Sequence, residues 1–293
     1  MKLDDVQSPE WRARAVSRIN KKLLGFVQGR AKKTPVLVAG LQRSGTTMLT
    51  NIFHLHPDSE VFDEASDSKT FLDFRIRSLE VVRQCVEASH YRFPCFKILA
   101  DSHVLPSIMR GIPDSRVVWM YRGYGANADS RLKKFRHATA AIRSVCEGRP
   151  GGGWFAEGVS ESARRTLQCL DRSAFTDFDY ACLVWWARNQ LYLDLNLTGE
   201  PYVRLLRYET LVVAPRATMH ALFDWIGMSW SASSMRFVHR HSLHKQELPA
   251  IDAQVDSLCR ELLLRLDQAH DRQWSQGPAA ALALARAEMQ FAS

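Results

Sequence analysis

Residues 36–49 read Val36-Leu37-Val38-Ala39-Gly40-Leu41-Gln42-Arg43-Ser44-Gly45-Thr46-Thr47-Met48-Leu49. The first four residues form a short apolar run that ends at a glycine, which is typical of a buried strand. From Met48 onward, apolar side chains recur at helical spacing until His56-Pro57 stops the pattern. The sequence therefore predicts a strand, a glycine-bearing loop and a helix as its first recognisable unit.

Other segments of the chain alternate between the same two patterns. Further short apolar runs predict strands at Phe96–Leu99, Val117–Tyr121 and Tyr202–Leu206. Apolar stripes predict a helix after Pro215, closed by Gly227, and another helix from Ile251. Strands that alternate with helices predict an α/β fold with a central parallel sheet flanked by helices.

We expect one domain over residues 34–293, preceded by a basic amphipathic helix within residues 1–33. We interpret that helix as lying on the protein body, with binding to a membrane surface or a nucleic acid as the alternative. Residues 137–180 are less regular, and their glycines 151–153 stand beside Trp154-Phe155. This stretch is either a mobile substrate lid or a plain surface loop.

Composition and charge limit the classes of function. The 293 residues are 46% hydrophobic and 24% charged, which excludes a wholly disordered chain. A formal net charge of +8 favours an anionic partner: a nucleic acid, a membrane surface or a small molecule with phosphate or sulfate groups. The six cysteines are scattered without metal-ligand spacing, so we expect buried free thiols. With no signal peptide and no long apolar run, we expect a cytoplasmic protein of bacterial type.

The loop after the first strand predicts a site for a phosphate-like group. Gly40-x-x-x-x-Gly45-Thr46-Thr47 has P-loop spacing, but Thr46 stands where a P-loop has lysine. Backbone N–H groups at a helix N-terminus still attract an anion, and Ser44, Thr46 and Thr47 add hydroxyl groups. No apolar strand ends in an aspartate that could hold Mg²⁺, since Val117–Tyr121 ends in Arg122. We therefore expect neither a triphosphate with magnesium nor any other metal site.

Three segments together resemble the sulfotransferase family, whose donor is 3′-phosphoadenosine 5′-phosphosulfate (PAPS). Leu41 to Leu49 resembles the family's 5′-phosphosulfate loop, with Gln42 in place of the usual proline. Arg122 and, eight residues on, Ser130 resemble its 3′-phosphate site, although Gly123-Tyr124 replaces the usual dipeptide. Residues 207–211 and 225–230 resemble a third family segment, which includes Tyr208. The resemblance covers roughly residues 34–230 and is closest to the tyrosylprotein type and to related bacterial enzymes.

This resemblance implies cationic roles for two residues. Arg43 would bridge oxygens of the phosphosulfate in fork geometry, and its high pKa restricts it to an electrostatic role. Lys97 lies in a predicted buried strand, where an unpaired ammonium is costly, so we expect an anionic partner for it. Relatives also carry a basic segment that folds over the 3′-phosphate, and Lys245 lies in the corresponding stretch.

The resemblance offers two arrangements for the general base. Cytosolic relatives have histidine two residues after the lysine, where this chain has Leu99. Tyrosylprotein-type relatives have a glutamate shortly after the loop's helix, and Glu64 matches that position. We expect Glu64 to be ionised and to act as the base, or else only to orient Arg43. Asp63 and His103 are the reserve candidates.

These observations predict a PAPS-dependent sulfotransferase that acts on a hydroxyl or amine of an unidentified acceptor. The sequence leaves three acceptor classes, a small molecule, a peptide or a glycan. It also leaves a homodimer as one possible oligomeric state. A P-loop kinase or NTPase is the alternative enzyme class, but it needs lysine at position 46 and a magnesium-binding aspartate. A nucleic-acid-binding protein is the non-enzymatic alternative, and the spread of positive charge along the chain argues against it.

Overall fold

The computed structural model describes residues 32–67, 69–135, 137, 139–150, 152–236, 238 and 247–275. Its strands are β1 Val36–Gly40, β2 Ser59–Asp63, β3 Phe71–Leu72, β4 Arg75–Ile76, β5 Phe93–Lys97, β6 Arg116–Tyr121 and β7 Val203–Arg207. Its α-helices are α1 Thr46–Leu55, α2 Leu79–Ala88, α3 Leu105–Gly111, α4 Tyr124–Lys134, α5 Ala140–Cys146, α6 Glu161–Gln168, α7 Asp177–Asp194, α8 Tyr208–Val213, α9 Pro215–Ile226 and α10 Ala253–Trp274. Apart from its last two residues, the predicted basic segment 1–33 lies outside the described residues.

A parallel five-stranded sheet forms the centre of the fold, in the order β2-β5-β1-β6-β7. Successive side chains of a strand point to opposite faces, so Leu37 and Ala39 pack on one face and Val36 and Val38 on the other. Helix α7 covers the first face, and α1 and α9 cover the second. The predicted α/β class with a parallel sheet is confirmed. Strands β3 and β4 form a small separate antiparallel hairpin.

Strand β2 was missed by the sequence analysis. Its residues, Ser59-Glu60-Val61-Phe62-Asp63, mix charged and apolar side chains, and the strand lies at an edge of the sheet where only Ser59 is fully buried. A half-exposed edge strand lacks the continuous apolar run by which the central strands were predicted. Because β2 ends in Asp63, the sequence analysis overlooked one carboxylate at the end of a strand.

Strand β5 begins and ends earlier than the predicted range Phe96–Leu99. It contains Pro94, which cannot donate a ladder hydrogen bond, and its pairing with β1 begins only at Cys95. At the other end, the N–H of Leu99 donates to the carboxylate of Glu64 at 3.0 Å instead of continuing the ladder. Strand β7 is shifted by one residue from its predicted range.

Residues 137–180 are more regular than the sequence suggested. They contain α5, α6 and the start of α7. Side chains of the two short helices are buried in the core, among them Val145 of α5 and Leu167 of α6. Helices of seven and eight residues are too short for their apolar period to stand out in the sequence. The lid role stays a prediction.

Helix α10 lies against the outer strand β7 and bonds its backbone. Gln273 accepts a hydrogen bond from the N–H of Leu205 at 2.8 Å, and Trp274 donates from Nε1 to the Leu205 carbonyl at 2.7 Å. The side-chain amide of Gln273 also donates to the carbonyl of Val203 at 3.3 Å. The apolar stripe from Ile251 therefore belongs to a helix that completes the sheet.

All six cysteines are free, as expected from their spacing. Five of them are buried, whereas Cys169 is exposed at the end of α6, which corrects the expectation for that residue. Within the described part of the chain, no helix combines the length and the apolar character that crossing a membrane requires.

Candidate active site at the carboxyl ends of the strands

Each strand of the parallel sheet is followed or ended by a predicted site residue. Because the carboxyl ends of parallel strands share one edge, these residues converge there, as ligand sites of open α/β sheets do. They are the loop Arg43–Thr47 after β1, Asp63 and Glu64 at the end of β2, Lys97 at the end of β5, Arg122 after β6 and Tyr208 after β7. The fold therefore assembles most of the predicted site, and only Lys245 lies outside the described residues.

The loop after β1 depends on two glycines in the left-handed region. Gly40 has φ 113°, and a Cβ atom there would lie 2.3 Å from the Met120 carbonyl oxygen. Gly45 has φ 86°, and its Cβ would lie 2.3 Å from the ring of Tyr208. The loop thus packs directly against β6 and α8, and Gly45 immediately precedes helix α1. The first N–H groups of α1 have no partner within the helix and can bind an anion.

A buried asparagine that the sequence analysis missed holds the loop from α4. The side-chain amide of Asn127 donates to the Gln42 carbonyl and to Ser44 Oγ, both at 3.0 Å. Ser44 accepts this bond, so its own proton stays available for an anion. In the sequence, Asn127 stands out only as a polar residue on the buried face of a helix.

Two cations meet where the loop approaches α4 and α8. Arg43 Nε donates to Ser130 Oγ at 2.9 Å, and the Arg122 guanidinium lies over the Tyr208 ring, 4.6 Å from its centroid. Burial and then the charge of Arg122 lower the pKa of Arg43. The loop arginine and both residues of the predicted 3′-phosphate site are therefore neighbours. Two like charges held close together suit an anionic ligand between them.

Lys97 lies between the loop and the end of β2. It is buried, and its Nζ is 3.5 Å from Thr47 Oγ1 and 3.4 Å from Asp63 Oδ2. The expectation of an anionic partner for this lysine is confirmed, and the partner is Asp63. Asp63 is thus already paired with a cation.

Glu64 is buried and is bound by backbone amides. One carboxylate oxygen accepts hydrogen bonds from the N–H groups of Leu99 and Ala100, at 3.0 and 3.5 Å. Burial raises the pKa of Glu64 to about 7, against the opposing effects of Lys97 and the two amides. The acid and the carboxylate therefore coexist near neutral pH, which corrects the expectation of a fully ionised group. A group with this pKa is well suited to take up a proton.

The alternative role for Glu64 finds no support in the described contacts. No hydrogen bond or ion pair among the described residues joins Glu64 to Arg43, which is bound to Ser130 instead. Of the reserve bases, His103 has Nδ1 3.2 Å from the Ala100 carbonyl and Nε2 3.4 Å from Glu157. Burial and then the charge of Arg188 lower the pKa of His103.

In the described ranges, no group of three or more histidine, cysteine or acidic side chains is arranged to hold a metal ion. The residues brought together at the sheet edge are instead cations, hydroxyl groups, backbone amides, the Asp63 carboxylate paired with Lys97, and the buried carboxyl of Glu64. Such a set can bind a polyanion and exchange one proton.

Comparisons with solved structures and with curated proteins gave the following results. The structure resembles the sulfotransferase domain of an olefin synthase from Synechococcus PCC 7002, with 12% identity, a TM-score of 0.47, and coverage of 80% of this chain and 97% of that one. It also resembles sulfotransferase STF9 from Mycobacterium avium, with 15% identity, a TM-score of 0.43, and coverage of 91% and 84%. No protein of curated function matches the sequence significantly.

The family assignment rests on the sequence itself. The family model described as a sulfotransferase domain matches residues 33–247, which is well over half of the chain. The matched range contains the loop, Glu64, Lys97, Arg122, Ser130 and Tyr208. The chain belongs to the sulfotransferase family and is a transferase of sulfuryl groups.

Proposed function

We propose that this enzyme moves the sulfuryl group of PAPS to a hydroxyl or amine of its acceptor by in-line transfer. The observation that carries the proposal is the hydrogen bond between Arg43 of the loop and Ser130 of α4. It joins a loop suited to a 5′-phosphosulfate to a serine of the proposed 3′-phosphate site. The donor supplies the activated sulfuryl group, and the residues of the chain bind and orient it.

The loop would hold the 5′ end of the donor. The backbone N–H groups at the start of α1 and the hydroxyl groups of Ser44, Thr46 and Thr47 would donate to its oxygens. The Arg43 guanidinium would contact two of these oxygens in fork geometry. Gly45 keeps the loop in this position, because any side chain there would meet the ring of Tyr208.

Arg122 and Ser130 would bind the 3′-phosphate. Arg122 is held over the Tyr208 ring, and its carbonyl accepts a hydrogen bond from Trp185 Nε1 at 2.7 Å, which fixes the backbone there. Lys245 would add a further cation on this side of the nucleotide.

The transfer step would use Glu64 and Lys97. The acceptor oxygen forms a bond to sulfur while the bond from sulfur to the 5′-phosphate oxygen breaks, and the electron pair of that bond stays on the phosphate. The acceptor proton goes to Glu64, whose pKa of about 7 lies close to neutral pH. Lys97 and Arg43 stabilise the charge on the oxygens around sulfur, so positioning and electrostatics dominate catalysis.

A P-loop kinase or NTPase is the competing enzyme class, and Asp63 is the observation that keeps it in view. This carboxylate ends β2, where a magnesium ligand could lie, but it is paired with Lys97. Thr46 also stands at the position where a nucleoside triphosphate would need lysine. The ion pair between Asp63 and Lys97 and the absence of lysine at position 46 both favour PAPS over a nucleoside triphosphate with magnesium.

The test compares thermal stability with 3′-phosphoadenosine 5′-phosphate and with ATP–Mg²⁺. A ligand at a hundredfold excess over its Kd stabilises the fold by about 2.7 kcal/mol, so the right nucleotide gives a clear rise in melting temperature. We expect this rise with the bisphosphate and turnover of PAPS that survives excess EDTA. A larger rise with ATP–Mg²⁺, or a loss of turnover that magnesium restores, would favour the NTPase.

A further inference from the structure

Arg131 is a buried cation with no carboxylate partner among the described residues. It follows Ser130 on α4, and its side chain is 0% exposed. Nη2 makes one long hydrogen bond, 3.5 Å, to the Gln42 carbonyl, whereas Nε and Nη1 have no hydrogen-bond partner in the described part of the chain. A guanidinium without water or a counter-charge is costly, so this arginine needs an explanation outside the packing of the fold.

A second buried arginine lies beside it and increases that cost. Arg188 of α7 is 1% exposed and donates to the backbone carbonyls of Leu99, Trp154 and Glu157 at 2.9–3.2 Å. Its Nε also lacks a partner within the described residues. Burial, then Arg188 and then Arg43 lower the pKa of Arg131 to about 9. No carboxylate contributes to that balance.

Two stacked aromatic rings cover the two arginines. Phe155 lies over the Arg131 guanidinium, with 4.8 Å from its central carbon to the ring centroid, and Trp154 lies over Arg188 at 5.0 Å. The ring centroids are 3.9 Å apart, and both rings are partly exposed. The rings therefore separate a cationic cluster, Arg131 and Arg188, from solvent. An anion would reach Arg131 after Phe155 moves aside.

This cationic cluster lies between the donor loop and the proposed base. Arg131 contacts the loop at Gln42, and Arg188 contacts the carbonyl of Leu99, whose N–H binds Glu64. Ser130 and Arg131 are consecutive in a helix and point in directions about 100° apart. Ser130 therefore faces Arg43 and the nucleotide site, whereas Arg131 faces Phe155 and Arg188.

We propose that Arg131, with Arg188 beside it, binds an anionic group of the sulfuryl acceptor, either a carboxylate or a phosphate monoester. This inference rests on the proposed function. The anion supplies the missing partners of the guanidinium nitrogens in fork geometry. The acceptor is thereby held near Glu64, because Arg188 donates to the Leu99 carbonyl and the Leu99 N–H donates to Glu64. Substrates without such a group leave Arg131 without a counter-charge and bind less tightly.

The experiment uses the full chain saturated with 3′-phosphoadenosine 5′-phosphate, so that the donor site is occupied. Binding is measured by calorimetry for three phenols that differ in one group: 4-hydroxyphenylacetate, its neutral methyl ester and 4-hydroxyphenyl phosphate. We expect at least one anion to bind about tenfold or more tightly than the ester. The preferred anion identifies the carboxylate or the phosphate as the group that is bound.

Arg131→Met should remove this preference while the Kd of the bisphosphate stays within about twofold. Because no carboxylate among the described residues pairs with this arginine, the variant should melt at the same or a higher temperature. Arg131→Lys, which keeps the charge but not the fork, should retain part of the preference. Lys133→Met on the same helix is the matched control, since it removes an exposed charge paired with Asp129. It should leave both the preference for the anionic phenols and the Kd of the bisphosphate unchanged.

Equal binding of all three phenols to the unaltered protein would overturn the inference. So would a loss of bisphosphate affinity in Arg131→Met equal to its loss for the anions, because Arg131 would then serve the donor. If the bisphosphate does not bind the unaltered protein at all, the proposed function fails first and this inference with it. The three outcomes are distinguishable because the donor product and the phenols are titrated separately.

Discussion

Arg43 Nε donates to Ser130 Oγ at 2.9 Å, so the two ends of the proposed nucleotide site are in direct contact. Binding of a 3′-phosphate would give Ser130 a new partner and leave Arg43 directed at the 5′ end. The contact thus presets the separation between the two anion sites. The contribution of Ser130 to binding of the 3′-phosphate can therefore be measured by replacing this serine.

The first prediction concerns Ser130 and the 3′-phosphate. In the unaltered protein, 3′-phosphoadenosine 5′-phosphate should raise the melting temperature far more than AMP, because AMP offers nothing to Arg122 and Ser130. Ser130→Ala should narrow this difference by removing one hydrogen bond to a charged group, about 1.5–3 kcal/mol of binding energy. Ser107→Ala is the matched control, since Ser107 also accepts a hydrogen bond from an arginine, Arg110, but lies exposed on α3. Equal shifts with both nucleotides would remove the 3′-phosphate assignment.

The second prediction concerns the base. Glu64→Gln keeps the size of the side chain and an oxygen that can accept from Leu99, but it cannot take a proton. We expect kcat to fall by ~10²–10⁴-fold, with little change in the Kd of the donor product. Asp63→Asn is the comparison, because it alters the partner of Lys97 and leaves the buried carboxyl in place. A Gln variant with near-normal kcat would transfer the role to Asp63 or His103.

The third prediction is a rate that depends on pH. The base must be ionised to work, and burial raises the pKa of Glu64 to about 7. The value of kcat/KM should therefore rise with pH and level off above about pH 7, and Glu64→Gln should lack this limb. A limb that persists unchanged in the Gln variant would have to come from another group.

The fourth prediction concerns the stability of the fold, which should fall as pH rises, whereas kcat/KM should rise. The folded pKa lies above the ordinary value of 4.5, so between these two pH values the folded state binds more protons than the unfolded chain. The stability associated with this proton is complete below pH 4.5 and is lost as pH rises through 7, in total about 3 kcal/mol. Glu64→Gln should therefore be more stable than the unaltered protein at pH 8, and the difference should vanish near pH 4. Chemical denaturation at the two pH values measures it, and a Gln variant less stable at pH 8 would contradict it.

The fifth prediction concerns the support of the loop. Asn127→Leu removes both hydrogen bonds that hold Gln42 and Ser44, and it leaves a buried carbonyl poorly satisfied. We expect a loss of about 1–3 kcal/mol in the free energy of unfolding and weaker binding of the donor product. Asp129→Asn is the control on the same helix, because its exposed pair with Lys133 contributes at most about 1 kcal/mol. Normal nucleotide affinity in Asn127→Leu would show that the loop holds its shape without α4.

Local patterns in the sequence predicted the parts of the fold that are apolar and continuous. Strands β1, β6 and β7 and the helix after the loop were found because their residues are buried on both faces or on one helical stripe. Strand β2 was missed because it lies at the sheet edge, and β5 was displaced because Pro94 interrupts its apolar run. The α/β class did not depend on these two errors, since strands and helices still alternate.

Some residues of the site could be found from local motifs, whereas others could be found only from contacts between distant parts of the chain. Arg43, Glu64, Lys97 and Arg122 stand in or next to motifs, and the fold brings them to one edge because each follows a parallel strand. Asn127 and Arg131 belong to no motif, and their importance lies in contacts to residues more than 80 positions away. The pKa of Glu64 likewise depends on its burial, which raises it, and on the amides of Leu99 and Ala100, which lower it, and no sequence pattern contains either effect.

Helix α10 lies beyond the end of the family match but is part of the folded enzyme. The family match stops at residue 247, yet Gln273 and Trp274 occupy the backbone groups of Leu205 on the outer strand. A chain cut after residue 247 would present that strand as a bare edge, open to strand addition by a second molecule. Such a truncation would also remove Leu262 and Leu266 from the core, so loss of stability and self-association would appear together. Helix α10 therefore protects the edge of β7 from pairing with a second molecule. Any shortened version of the enzyme has to extend to residue 275.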